Sequence, residues 1–274
     1  MIRRCRFFKA VMIVGLGMSG QFASQTAKGF EVDLELLLAV DVSTSVDPLE
    51  AELQRNGYVA AFTDPALQQA ILDSTTGRIA VSYVEWAGAN YQRTVIDWTV
   101  IDSAETAAAF AGTLKSKAIS SAPSTSISGL IDFARRAFRS NAFQGLRRVI
   151  DISGDGPNSA GRSAAAARDD AVAEGITING LPVLSSRPDP VAGAPATGVE
   201  RYYRRHVIGG PGAFLLEVAE FENFAPILLK KLIREIRGDV PTAALRQGSP
   251  TAQTASKQVQ EQSQTGEKSK SQIR

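Results

Sequence analysis

A chain of 274 residues with 44% apolar side chains is long enough for one large domain or two small ones, and rich enough to bury a core. Four of its 30 basic residues, Arg3, Arg4, Arg6 and Lys9, fall in the first ten positions, and the rest are outnumbered by 28 Asp and Glu. The nominal charge of +2 is therefore no argument for a nucleic-acid partner, and the single cysteine, Cys5, excludes an internal disulfide framework and a Cys-based zinc site.

The basic lead is followed by a short apolar run from Ala10 to Met18 and then a small, polar stretch to Ala27. This is the layout of a signal peptide over residues 1–27, with Ala23 and Ala27 as candidate cleavage points. The run is short for a spanning helix, so no transmembrane anchor is expected in the mature chain. A competing reading takes Gly15, Gly17 and Gly20 as a G-x-G-x-x-G dinucleotide fingerprint with Asp41 as the ribose-binding acid. The arginine-rich lead directly before the apolar run, and the scarcity of helix-packing leucine and isoleucine from Gln21 to Phe30, favour the signal peptide.

Leu36 to Val40 is an apolar run that ends abruptly in Asp41-Val42-Ser43-Thr44-Ser45. It reads as a buried strand with an acid and two alternating hydroxyls leaving its carboxyl end, the edge where open α/β sheets bind ligands. Asp47-Pro48-Leu49-Glu50 then has the pattern of a capped helix start. That helix runs to about Phe62, and Leu49, Leu53 and Ala60 are its expected buried positions. Ile79 to Trp86 is a second buried strand. Gln92 to Ile101 alternates and follows a tight Gly88-Ala89-Asn90 link, as an antiparallel edge strand would. A helix capped by Ser103 covers Ser103 to Leu114.

The hydroxyl-rich loop Ser120 to Ser126 contains Thr125 and opens a helix with the stripe Ile127, Leu130, Ile131, Ala134, Phe138. On the opposite face, Arg135, Arg136 and Arg139 read as solvated. Arg147 to Ile152 is a strand, again ending in an acidic turn, Ser153-Gly154-Asp155-Gly156. A helix from about Arg162 to Ala173 stops at Gly175, and Ile176 to Val183 is the next strand. Ser185 to Val199 is a surface loop, Ala213 to Val218 a last strand candidate, and Asn223 to Ile236 a last helix. The region 239–274, rich in Gln, Ser and Lys, lacks apolar periodicity and reads as disordered. His206, beside Arg204 and Arg205, reads as a surface residue, and Trp86 and Trp98 as packing residues.

Strands alternating with helices predict a doubly wound α/β domain, mostly parallel and Rossmann-like, with one antiparallel edge strand. Asp41, Ser43, Ser45, Thr125 and Asp155 fall in loops on one edge of that sheet. They offer oxygen only, which suits Mg²⁺, with Mn²⁺ or Ca²⁺ as alternatives.

The ordered motifs, Asp-x-Ser-x-Ser, a Thr at a helix start and Asp-Gly after a strand, resemble the von Willebrand factor type A (vWA) domain and its metal-ion-dependent adhesion site (MIDAS). The resemblance covers about Val32 to Gly238, within a domain expected over residues 30–238, and in look it is similar to exported bacterial members of unassigned function that share an Asp-Val-Ser-x-Ser-Val-Asp opening. It assigns Asp41, Ser43 and Ser45 to the first metal loop, Thr125 to the second and Asp155 to the third. It implies a periplasmic or secreted, non-enzymatic module whose bound ion accepts an Asp or Glu carboxylate from a protein partner. Two departures stand out: Pro123-Ser124 replaces a frequent pair of glycines before the Thr, and Gly154 precedes Asp155 where a Thr is frequent. A metal-assisted hydrolase using the same ion is the further alternative, although no general base is evident beyond the metal-site acids.

Overall fold

The computed structural model describes residues 29–184 and 198–238. Residues 1–28, 185–197 and 239–274 lie outside the described residues, and with them the signal-peptide segment, Gly15, Gly17, Gly20, nearly all of the Ser185–Val199 loop and the tail.

Five strands form one sheet in the order β3-β2-β1-β4-β5. They are β1 (Phe30–Asp41), β2 (Ile79–Trp86), β3 (Gln92–Ile101), β4 (Phe143–Gly154) and β5 (Ile176–Pro182). All neighbours pair in parallel except β2 and β3, so the antiparallel edge strand is where the sequence puts it. Strand β1 is central and buried from Val32 to Asp41, which explains its continuous apolar run: both of its faces are covered by helices.

The helices fall in two layers. On one face α1 (Pro48–Thr63), α2 (Pro65–Leu72), α3 (Ala104–Ser116) and α7 (Phe224–Arg237) pack on Leu34, Leu36, Leu38 and Val81. On the other, α4 (Ile127–Ser140), α5 (Ala164–Ala173) and α6 (Val199–Tyr202), which runs on into a π-helical turn Tyr203–Val207, pack on Leu37, Ala39, Ile150 and Ile152. The α4 stripe is buried at Ile127, Leu130, Ile131, Ala134 and Phe138, as its period requires. Full burial of each large side chain in such a stripe contributes about 1.5–3 kcal/mol before ordering costs. Arg135, on the outer side of α4, bonds Glu174, and Arg139 joins it, so this face is tied to the end of α5 by ion pairs.

Helix α1 reverses the expectation from its sequence. Leu49 is 57% and Leu53 38% exposed, and Ala60 is exposed as well. The buried side instead carries Glu50, Gln54, Arg55, Tyr58 and Phe62. Polar residues can face inward here because each finds a partner. Gln54 Oε1 accepts from Ser153 Oγ at 3.0 Å, Arg55 pairs with the buried Glu85, and Arg55 also donates to the Leu114 carbonyl at 2.9 Å. Ala213 to Val218 is also not a regular strand. It follows β5 through separate bridges, Gly180 to Leu215 and Val183 to Val218, and is interrupted where Asn179 Oδ1 takes the Phe214 N–H at 3.0 Å. Helix α2 has no counterpart in the sequence reading. It starts at Asp64, whose side chain accepts from Ala66 N at 2.7 Å, with Pro65 in its first turn.

Candidate metal centre

Asp41 is the last residue of β1, and Asp155 follows the last residue of β4. The register sets Val40 beside Ser153, so pairing of β1 with β4 brings the two acids to one edge. The chain between Asp41 and α1 is a tight turn. Asp41 Oδ1 accepts from Ser43 N at 2.7 Å, and Val46 N donates to the Ser43 carbonyl at 3.0 Å. Asp47 then caps α1, accepting from Glu50 N at 2.8 Å while Glu50 Oε2 accepts from Asp47 N at 3.0 Å. This turn holds the two serines on the side of Asp155. Ser43 Oγ lies 2.9 Å from Ser45 Oγ, and Ser45 Oγ donates to Asp155 Oδ1 at 2.9 Å. Asp41, Ser43, Ser45 and Asp155 are thus one connected oxygen cluster.

The loop carrying Thr125 is held against both of the others by its backbone. Ala122 N donates to the Val42 carbonyl at 3.1 Å, joining it to the first loop. The Thr125 carbonyl accepts from Ser159 N at 2.8 Å and Ala160 N at 3.1 Å, and Thr125 N donates to Ser159 Oγ at 3.1 Å, joining it to the third. Ser124 has φ 72°, the one positive φ outside glycine among the described residues. Ser124 thus holds a left-handed conformation that favours glycine, which costs about 1 kcal/mol. Sequence reasoning passed over Ser159, whose role lies in a contact 34 residues away that no local pattern announces.

The electrostatics suit a cation. Asp41 is fully buried, and burial first, then the charge of Asp155, pushes its carboxyl up to about 8; the Ser43 backbone and hydroxyl and the Asp155 backbone pull the other way. Burial and the same Asp155 charge push Glu50 up to about 7. Two crowded carboxylates disfavour each other's ionised form unless a positive charge joins them. Asp41 Oδ2 is buried with no hydrogen-bond partner, an acceptor held away from water. No group of three or more His, Cys, Asp or Glu is positioned to hold an ion among the described residues. The donor set is accordingly two carboxylates supplemented by hydroxyls, which matches a hard divalent ion. His206 is exposed on the π-helical turn, its ring 4.9 Å from that of Tyr202. Trp86 is buried, and Trp98 packs against Phe138 with tilted rings and centroids 5.2 Å apart, so both pack as expected.

Comparison with known proteins gives the same architecture. A family model described as "Protein of unknown function (DUF1194)" matches residues 31–240. A von Willebrand factor type A protein from Catenulispora acidiphila superposes with a TM-score of 0.51 at 11% identity, over 75% of this chain and 43% of that one. Proximal thread matrix protein 1 from the mussel byssus, in a structure with a zinc-occupied MIDAS motif, gives a TM-score of 0.52 at 14% identity, over 74% of this chain and 46% of that one. The open conformation of the pilus adhesin SpaC from Lactobacillus rhamnosus GG gives 0.52 at 12% identity, over 76% of this chain and 30% of that one. The chain thus spans less than half the length of each of these three structures. No curated protein matches it. At these identities the likeness establishes the fold, which is vWA-like.

Proposed function

The chain belongs to the DUF1194 family, and from that premise we propose that its vWA-like domain is a metal-dependent protein-binding module. The supporting observation is the connected oxygen cluster of Asp41, Ser43, Ser45 and Asp155, with the Thr125 loop fastened beside it. These five residues would hold the ion. Mg²⁺ is the expected ion, with Mn²⁺ or Ca²⁺ as alternatives; it takes about six oxygens and retains waters, so a protein set this small leaves a position for an incoming ligand. Two acids do not overcompensate a divalent charge, so the natural ligand is an Asp or Glu carboxylate of a protein partner. When bound, the ion supplies the positive charge that captures that carboxylate. The chain's own residues orient it: Ser43 N–H fixes one oxygen of Asp41, and Ser45 bridges to Asp155.

In this reading the module is exported to the periplasm or outside the cell, with residues 1–27 removed as a signal peptide. Among the described residues no helix is long and apolar enough to cross a membrane. The test is capture of partners from the exported proteome with and without chelator, using wild type and Thr125→Ala. Chelator-sensitive capture that Thr125→Ala weakens supports the reading. Capture indifferent to chelator makes the ion structural and overturns the adhesion mechanism.

A further inference from the structure

Behind the metal loops, three neighbouring strands place Trp86, Asp41 and Gly154 side by side on one face of the sheet. Asp41 pairs with Trp86, and Val40 with Ser153, so Gly154 is the next neighbour on β4. The face is that of Ala39, Val84 and Ile152, covered by the second helix layer. A glycine in this row leaves room one side chain wide, and Tyr203 from the π-helical turn enters it. A Cβ at position 154 would sit 2.6 Å from the Tyr203 hydroxyl, 3.0 Å from Asp41 Oδ2 and 3.2 Å from Trp86 Cζ2. A Cβ on Gly180, one strand over, would sit 2.8 Å from Tyr203 Cδ1. Two glycines therefore clear a path for one phenol ring, and its oxygen arrives where a side chain at 154 would begin.

Two polar atoms with no hydrogen-bond partner of their own meet at that place, Asp41 Oδ2 and the Tyr203 hydroxyl, and the Trp86 ring beside them carries a third, Nε1. Tyr203 and Trp86 are fully buried, as is Asp41. Leaving one such group unsatisfied is costly, and leaving an acceptor and a donor unsatisfied side by side is more so. The chemistry is complementary, since the phenol O–H and indole N–H donate and the carboxylate accepts.

We infer that Tyr203 is a positioning residue of the metal centre: its hydroxyl, directly or across a single water, donates to the Asp41 oxygen that Ser43 does not hold. This rests on the metal-site reading for its function, and on the buried row alone for its geometry. Ser43 N–H fixes one oxygen of Asp41 and Tyr203 the other, so the carboxylate has a single orientation toward the ion. Groups in such outer positions influence ion affinity strongly, typically by roughly 10- to 100-fold.

The experiment uses the full chain in two arms. In chelator, urea midpoints are measured for wild type, Tyr203→Phe, Asp41→Ala and the double variant. Tyr203→Phe is expected to lower the midpoint of wild type and to leave that of Asp41→Ala unchanged; two effects that simply add would overturn the inference. Calorimetric titration with Mn²⁺ is expected to show affinity reduced roughly 10- to 100-fold in Tyr203→Phe, and an unchanged affinity would also overturn it. Gly154→Ala supplies a check independent of the phenol deletion. It should weaken Mn²⁺ binding by displacing the hydroxyl, and Tyr203→Phe in the same chain should relieve its stability loss. A wild type that binds no Mn²⁺ counts against the proposed function, while the chelator arm still decides the coupling of Tyr203 to Asp41.

Discussion

Asp41→Asn is the substitution with the most informative expected outcome. Asparagine retains an oxygen to accept from Ser43 N–H, now at 2.7 Å from Asp41 Oδ1, but removes a charge that is buried beside Asp155. The carboxyl of Asp41 is pushed from the ordinary 3.8 up to about 8 by burial and by Asp155. An acid whose folded pKa is raised binds more protons folded than unfolded between those two values. Its contribution therefore favours folding below about 4 and is withdrawn as pH rises toward 8. At about 1.4 kcal/mol per unit, the withdrawal has a ceiling on the order of 5 kcal/mol, and relaxation of the loops reduces it. Metal-free wild type should lose stability across this window while Asp41→Asn loses much less, so the variant should be the more stable protein at pH 8 by a few kcal/mol. Saturating Mg²⁺ should restore the wild type at pH 8 and do little for the variant. The assay is urea unfolding between pH 4.5 and 8.5, in chelator and in Mg²⁺. A stability difference between the two proteins that is constant over this range would refute the reasoning.

Two further substitutions test other parts of the structure. Ser124→Gly relieves the positive φ of 72° and should stabilise the domain by about 0.5–1 kcal/mol, read as a rise in Tm, with ion affinity unchanged. Lys231 is fully buried and pairs with Asp151 and Glu235, so Lys231→Met leaves both carboxylates uncompensated and should destabilise by about 3–5 kcal/mol in urea unfolding at pH 7.

What was legible in the sequence was what depends on period or on order along the chain. The stripe of α4 recurs at three- and four-residue spacing on the core side and is buried at every position named. The acids at the ends of β1 and β4 follow from strand-then-turn patterns, and adjacency of those strands sets them at one edge. Helix α1 was misread because apolar residues were assumed to face inward. Beside Tyr58 and Phe62 its inner positions include polar residues with partners 30 to 99 residues away, Glu85 for Arg55 and Ser153 for Gln54, and hydrophobicity carries no trace of such pairing. Ala213 to Val218 has a strand's composition, but a side-chain acceptor, Asn179, takes one of its backbone donors and the ladder breaks. Tyr203 had no motif to announce it. Its position beside Asp41 depends on two glycines on β4 and β5 and on a helical turn that begins 162 residues after that acid.

The central claim is that Asp41, Ser43, Ser45, Thr125 and Asp155 hold one divalent ion. Calorimetric titration of Mg²⁺ and Mn²⁺ into wild type and Asp41→Ala tests it directly. One ion should bind per wild-type chain and none to Asp41→Ala, which has lost one of the two charged ligands yet stays folded because the crowding of the two carboxylates is relieved. A wild type silent toward both ions at millimolar concentration, or an Asp41→Ala variant that binds as well as wild type, would contradict it.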